Sequence, residues 1–342
     1  MAFVDISYKG SPLTVHKAVT SPRFGDKTVL VTDTWDYVDL WLRRSHQSEA
    51  RFYWQQSRSF YAATKELPRT AAPLTAYYCF LNAVKAMLIA KGVAFNDQHG
   101  VSGYTIKDRT SLSNEKVRFK GGGILPALAT CLGEPAIAVD YSLGDLLYNL
   151  PYIHRAYDLT FESSIELFIP VTNPKVVRRD KEAWFTAELS GKYATEKTIL
   201  KLPAGYERSP SDDGRFLIRR KKRFKWEPQK RTASIARYCT YHQSLRAQIH
   251  YICGPQRLWY IKRGGNIPAI IARSPMTIAF AAMHRLSEMS RYNPDRLARH
   301  FECQHNWLLS EFIETAPMQF IDEISSEMTG REFMQPGRAS RR

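Results

Sequence analysis

The chain has 342 residues, 44% of them hydrophobic and 24% charged, with 49 lysines and arginines against 33 aspartates and glutamates. That length supplies ample core without disulfide or metal staples, and the balance of apolar and charged residues excludes wholesale disorder. A net charge of +16 favours anionic partners, nucleic acid foremost. The start, Met1 to Ile6, lacks the basic and then apolar pattern of a secretory signal, and no unbroken run of about 18 apolar residues occurs. The sequence therefore predicts a cytoplasmic protein without a membrane partner.

Three helices are predicted in the opening third. Thr34 is placed to cap the first, whose apolar side carries Trp35, Val38, Leu40 and Trp41. The second carries Phe52, Gln55, Gln56, Phe60 and Ala63 and stops at Pro68. The third begins with Pro73 in its first turn, repeats Leu74, Tyr77, Tyr78, Leu81, Val84 and Leu88 at helical steps, and ends at Gly92. His99-Gly100 then opens a loop, and Gly121-Gly122-Gly123 precedes an apolar run from Ile124 to Leu132. The glycines lack both the Walker spacing and the GxGxxG pattern and are predicted to form a joint.

From about residue 160 the period becomes extended, with predicted strands at 165–170, 183–189 and 198–202. Ser211-Asp212-Asp213-Gly214 is a hairpin signal, and Gly254-Pro255 joins two further strands. Helix returns at Ser274-Pro275 and again at Asn293-Pro294, and Trp307 and Pro317 mark two more helices. The predicted fold is α+β and mainly helical: an α-helical bundle built from both chain ends with a β-rich inserted or appended middle segment. Its parts are an N-terminal helical region (1–159), a β-rich basic segment (160–265), C-terminal helices packing on the first region (266–335) and a basic tail (336–342).

The five cysteines, Cys79, Cys131, Cys239, Cys253 and Cys303, have neither CxxC nor paired-histidine spacing. Each is predicted to be a buried reduced thiol, and neither a metal nor a cofactor is called for.

Residues Phe60-Tyr61-Ala62-Ala63, Tyr77 to Ala86, His99-Gly100 and Leu286-Ser287-Glu288-Met289-Ser290-Arg291-Tyr292-Asn293-Pro294 together resemble the YaaC-like family of bacterial proteins. The resemblance spans both helical ends, implies a helical bacterial protein, and brings no mechanism with it. The β-rich middle carries no motif matching that family.

Three sets of residues could carry function. Between Arg215 and Arg231 lie nine basic residues, Arg215, Arg219, Arg220, Lys221, Lys222, Arg223, Lys225, Lys230 and Arg231, against one acid, Glu227. Phe216, Phe224 and Trp226 interleave with them. Cations that neutralise phosphates beside rings that stack on bases make this the predicted nucleic-acid interface, for RNA or DNA; the structural alternative is a charged sheet edge that blocks aggregation. The second set is a polar pocket of Asn82, Lys85, His99 and Arg291, serving a small molecule or a protein partner. Its structural alternative has Asn82 bonding nearby backbone, Lys85 snorkelling to water and His99 making a turn.

The third set is Arg299 and His305. The stretch Arg299-His300-Phe301-Glu302-Cys303-Gln304-His305 resembles the Arg-x(4-6)-His motif of HEPN ribonucleases, which implies metal-independent RNA cleavage by motifs paired across a dimer, in stress or phage defence. Histidine would move the ribose proton and arginine would steady the phosphate. The same spacing recurs by composition at Arg237 and His242, so it leaves open whether the chain is an enzyme. The sequence also leaves the oligomeric state open, a homo-oligomer included.

Overall fold

A computed structural model describes residues 3–211, 214–255 and 258–335, and the fold is mixed α+β. The predicted Asp212-Asp213 turn and the 336–342 tail lie outside the described residues. The chain divides into two compact units: Val31–Glu166 with Ala269–Thr329, and the described residues of Met1–Leu30, Leu167–Pro268 and Gly330–Arg342.

The helical unit contains α1 (Trp35–Arg44), α2 (Ser48–Glu66), α3 (Ala72–Ala90), α4 (Ile124–Cys131), α5 (Leu143–Tyr148) and α6 (His154–Thr160). It also holds a three-stranded antiparallel sheet of β5 (Val101–Thr105), β6 (Glu115–Phe119) and β7 (Val139–Ser142), in which β6 is central. Helices α9 (Pro275–Tyr292), α10 (Pro294–Phe301) and α11 (Asn306–Thr329) complete the unit. Helix α3 packs against α2, α9 and α11. It is buried nearly all round rather than along one stripe, with Ala76, Cys79, Phe80, Ala83 and Met87 enclosed as fully as the predicted positions. Phe80 stacks on Phe320 of α11 at 4.0 Å between ring centroids. Such a helix is apolar on every side because every side meets protein. By length and composition it could also cross a membrane, which a search for unbroken apolar runs overlooks, yet 67% of its apolar window is buried inside the protein.

Several local expectations are corrected. Helix α2 buries Ala50, Trp54, Ser57 and Thr64 and leaves Phe52 56% exposed, because Trp54 packs on Trp35 and sends its indole N–H to the Trp35 carbonyl. On α1, Leu42 is the enclosed leucine and Leu40 the exposed one. Thr34 precedes α1 but gives its hydroxyl to a bond with Ser325 rather than to a cap. Helix α11 runs unbroken through Pro317; the missing backbone bond is outweighed by the burial of Phe312, Ala316, Phe320 and Ile324 on the same helix. Of the cysteines, Cys79 alone is buried and the other four are partly exposed.

In the second unit, an antiparallel sheet runs in the order β10 (Tyr206–Ser209), β11 (Phe216–Arg220), β9 (Glu182–Leu189), β8 (Phe168–Arg179), β14 (Leu258–Lys262), β13 (Ile249–Ile252). Strand β1 (Val4–Asp5) pairs with β8, and β12 (Phe224–Lys225) pairs with β9. Small pairs join β2 (Ser7–Tyr8) to β3 (Ser11–Pro12), and β4 (Val29–Leu30) to β15 (Phe333–Met334). Residues 3–30, which the sequence places with the helices, therefore belong here: β1 extends the sheet, and Ile6, Leu13 and Val15 are buried in its core. Helix α8 (Arg231–Arg246) closes one face of the sheet with Tyr238, Tyr241 and Leu245, and the Tyr241 hydroxyl accepts from the Phe185 backbone N–H at 2.9 Å. The predicted strand at 198–202 is instead a helical turn, α7 (Glu196–Ile199), because Thr195 caps it by accepting from the Thr198 N–H.

Candidate functional site

The pleat of the sheet sorts the basic run. In β11, Leu217 and Arg219 face one way, toward the cleft that Arg215 just before the strand also lines, while Ile218 and Arg220 face α8. Ile218 is fully buried, and Arg220 reaches the hydroxyl and carbonyl of Ser244 with its guanidinium over Tyr241. Strand β8 contributes Lys175, Val177 and Arg179 to the open face, and β9 contributes Thr186. With Arg223 these residues line a cleft of about 580 Å³, in which Asp5 is the carboxylate found among the described lining residues. Register places Lys175, Thr186, Arg219 and Glu207 in one cross-strand row.

Some of that charge is already engaged. Lys175 pairs with Asp5 at 2.8 Å, Arg219 with Glu207 at 2.7 Å, and Arg223 with Glu182. Arg219 and Arg223 also lie over the Trp184 ring, at 5.8 and 5.4 Å. Trp184 is 2% exposed and its indole N–H has no hydrogen-bond partner. Arg179 makes no ion pair among the described residues. Lys221, Lys222, Lys225, Lys230 and Arg231 are exposed outside the cleft, and Lys225 pairs with Glu227.

The predicted aromatic partners are corrected. Trp226 is 4% exposed, and the half-buried Phe224 packs on Tyr238 and Tyr241 of α8 and edge-on to Trp226. Phe216 lies under Arg208 at 4.6 Å. Trp226 offers no free face to a base, and Phe224 has part of its ring covered by Tyr238 and Tyr241.

In the helical unit, Tyr77 of α3 bonds His99 Nδ1 through its hydroxyl. His284 of α9 lies edge-on to Tyr77, with ring centroids 4.8 Å apart, and 5.6 Å from His99. Burial first, then the charges of Lys85, Lys120 and Arg291, lower the His99 pKa; burial, His99, Arg285 and Lys120 push His284 down to about 3. Asn82 follows its structural alternative, its amide donating to the Tyr78 carbonyl one turn back. Lys85 pairs with Asp97 at 2.8 Å.

A deeper polar network centres on Glu115 of β6, which has no exposure. Its carboxylate accepts from Arg296 Nε at 2.6 Å, Arg285 at 2.5 Å and Thr105 at 3.0 Å. Since a carboxylate only accepts, His300 Nε2 is the donor across its 3.2 Å contact with Glu115. His300 Nδ1 then meets His305 Nε2 at 2.8 Å. Burial would raise the Glu115 pKa, but the bonds from His300, Arg285 and Arg296 outweigh it and hold the carboxyl at about 2. Arg285 also reaches Glu288, whose other oxygen accepts from the Gly103 N–H at 3.1 Å. A Cβ at Gly103 would collide with both side chains.

The Arg299 and His305 pair is not assembled. His305 is 4% exposed and held by His300, and burial pushes it down to about 4. Arg299 is exposed and near Asp295 and Asp108, at 3.6 and 3.9 Å. One turn of α10 separates Arg296, which enters the core, from His300, and that spacing carries the buried network instead.

Among the described residues no group of three His, Cys, Asp or Glu is placed to hold a metal ion. Glu115, His284, Arg285 and Arg296 carry no motif that marks them in the sequence, and Tyr77 is marked only as the start of the Tyr77 to Ala86 stretch. The signal that could have found Glu115 is the alternation of Glu115, Val117 and Phe119 as inward positions of one strand. A family model described as YaaC-like Protein matches residues 16–328. No curated protein and no solved structure matches the chain.

Proposed function

The chain belongs to the YaaC-like protein family, and we propose that it binds nucleic acid through the cationic cleft of its β-rich unit. The observation that carries this reading is the cleft itself, of about 580 Å³, whose described lining gathers Lys175, Arg179, Arg215, Arg219 and Arg223 with Asp5, while Glu207 and Glu182 engage Arg219 and Arg223 from outside that lining. Cations in a concavity focus positive potential and attract polyanions, and the volume lies within the range that encloses a nucleotide-sized group. Binding is led by phosphates rather than by base stacking, because Trp226 is committed to the core and Phe224 is partly covered. The helical unit is read as a bundle drawn from both ends of the chain.

The test is a salt titration of binding to single-stranded RNA and DNA. Replacing both Arg179 and Arg215 by serine is expected to reduce the slope of log affinity against log salt by about 1.4, roughly 0.7 for each phosphate no longer neutralised. A slope that stays at the unsubstituted value excludes the cleft as the binding surface.

A further inference from the structure

We propose that the cleft takes single-stranded nucleic acid and seats one of its bases on Trp184, a subsite that Phe3 covers in this structure. The inference deepens the nucleic-acid reading and rests on it: phosphate contacts bring the strand to the cleft, and this subsite adds a base.

The sheet places Trp184 just behind the cleft wall. Strand pairing sets Asp5 opposite Val177 and Val177 opposite Trp184, and Asp5 and Val177 both line the cleft. Residues opposite one another on paired strands share a face, so the indole stands on the open face, one row along from Lys175 and Thr186. Phe224 pairs with Ala183, which brings Arg223 alongside Trp184. Phe3 meets the ring edge-on, with centroids 5.2 Å apart and planes at 88°, and the guanidinium groups of Arg219 and Arg223 lie over it at 5.8 and 5.4 Å. Each of these three side chains lines the cleft, so Trp184 lies one side chain beneath the cleft surface.

Two features mark this as a place for a base. The first is the indole N–H, which is buried with no hydrogen-bond partner while the residue is 2% exposed. An unmet buried donor is costly, and packing alone would be served by a phenylalanine ring that carries none. The donor gains its acceptor when a base carbonyl or a phosphate oxygen arrives. The second is that Phe3 and Asp5 already present the chemistry of a nucleotide. One sets an aromatic ring against Trp184, and the other, two residues and about 7 Å along the strand, sets a carboxylate 2.8 Å from Lys175. A base takes the place of the ring and a phosphate that of the carboxylate.

The cover is the part that yields. Arg219 and Arg223 are tied to Glu207 and Glu182 and remain beside the base, where they face its phosphates. Phe3 is half-buried and precedes a strand joined to β8 by the pairing of Val4 with Arg178 and Asp5 with Val177, a short ladder that opens at low cost. A base stacked on an aromatic side chain is worth more than an edge-on pair of rings, so the exchange favours the ligand. Only an unpaired base can make it, because a duplex keeps its bases inside the stack.

The test compares, by fluorescence anisotropy, oligothymidylate, an abasic strand of the same length, which has the same phosphates without bases, and a duplex of that length. Oligothymidylate is expected to bind about fivefold or more tighter than the abasic strand. Phe3→Ala uncovers the indole and is expected to tighten oligothymidylate binding about twofold to tenfold while leaving the abasic strand unchanged. Trp184→Leu keeps an apolar side chain in place and is expected to bring oligothymidylate down to the abasic level, its urea midpoint reporting that the fold persists. Should that variant fail to fold, Phe3→Ala, which leaves the indole untouched, decides. Equal affinity for the two single strands in the unsubstituted and Phe3→Ala proteins, or weaker oligothymidylate binding by Phe3→Ala, overturns the subsite and leaves the cleft as a polyanion site. Duplex bound as tightly as oligothymidylate overturns the single-strand assignment. Binding of none of the three overturns the cleft reading and the subsite together.

Discussion

Glu115 answers for two buried arginines. Both lie far away in sequence, 170 residues for Arg285 and 181 for Arg296. Substituting one member of a buried charge cluster leaves its partners uncompensated, typically at about 3–5 kcal/mol, so Glu115→Gln is expected to destabilise the protein by about that amount in urea unfolding. Arg299→Ala, at the surface with long ion pairs, is expected to cost about 1 kcal/mol or less. Equal losses from the two would show that the network carries no special weight. Sequence could not rank these residues, because an isolated charge on a strand or helix looks solvated until the element that covers it is known. Lys85 and Arg291 stand out in the sequence as polar residues beside apolar helical stripes, and His99 as the opening of a loop. Tyr77 reads as one more core position, and His284 as one more residue of the polar face of its helix.

At the scale of the element, the two-residue period of β11 decides the role of each arginine. Arg220 points toward α8 and bonds Ser244 under Tyr241. Arg220→Ala is expected to lower stability by about 2 kcal/mol, through the removal of charged hydrogen bonds and packing. Arg215, five residues earlier and exposed in the cleft, should change stability by no more than about 0.5 kcal/mol when replaced by alanine while weakening nucleic-acid binding. Parallel denaturation and binding curves separate the two effects, and a stable, non-binding Arg220→Ala protein would contradict the assignment of faces. The strand was legible from its alternation, but not which face would be open, because that depends on where α8 docks. The same dependence explains α2, where the large apolar residue Phe52 yields the core to Ala50 and Trp54.

For the whole molecule, the buried histidines set the response to acid. His284 and His305 are held at about 3 and about 4, burial being the first cause in each, whereas an unfolded histidine takes its proton near 6.5. Below that point the unfolded chain binds more protons than the native one, so stability falls with pH by up to about 1.4 kcal/mol per pH unit for each such histidine. Glu115 adds to the loss below about 4.5, the range in which the unfolded carboxyl protonates, as the native one remains charged down to about 2. Urea midpoints measured at pH 7.5, 6 and 5 are expected to decline in that order. A flat profile would mean that these histidines are accessible to protons in the native state.

By itself the sequence determined many of the local periods, though not at 198–202 or along α8: the helical stripes of α1 to α3, the restarts of helix at Ser274-Pro275 and Asn293-Pro294, and how much cationic charge one short segment concentrates. Those properties depend on neighbours within a few residues, and so survive without a partner. Only the tertiary structure decided that residues 3–30 join the unit of the large sheet, that Trp226 goes inward while Arg215 and Arg219 stay in the cleft, and that Glu115 is sealed between Arg285 and Arg296. Each of those outcomes depends on a surface supplied by a distant part of the chain, and burial of a side chain is a property of the pair rather than of either member.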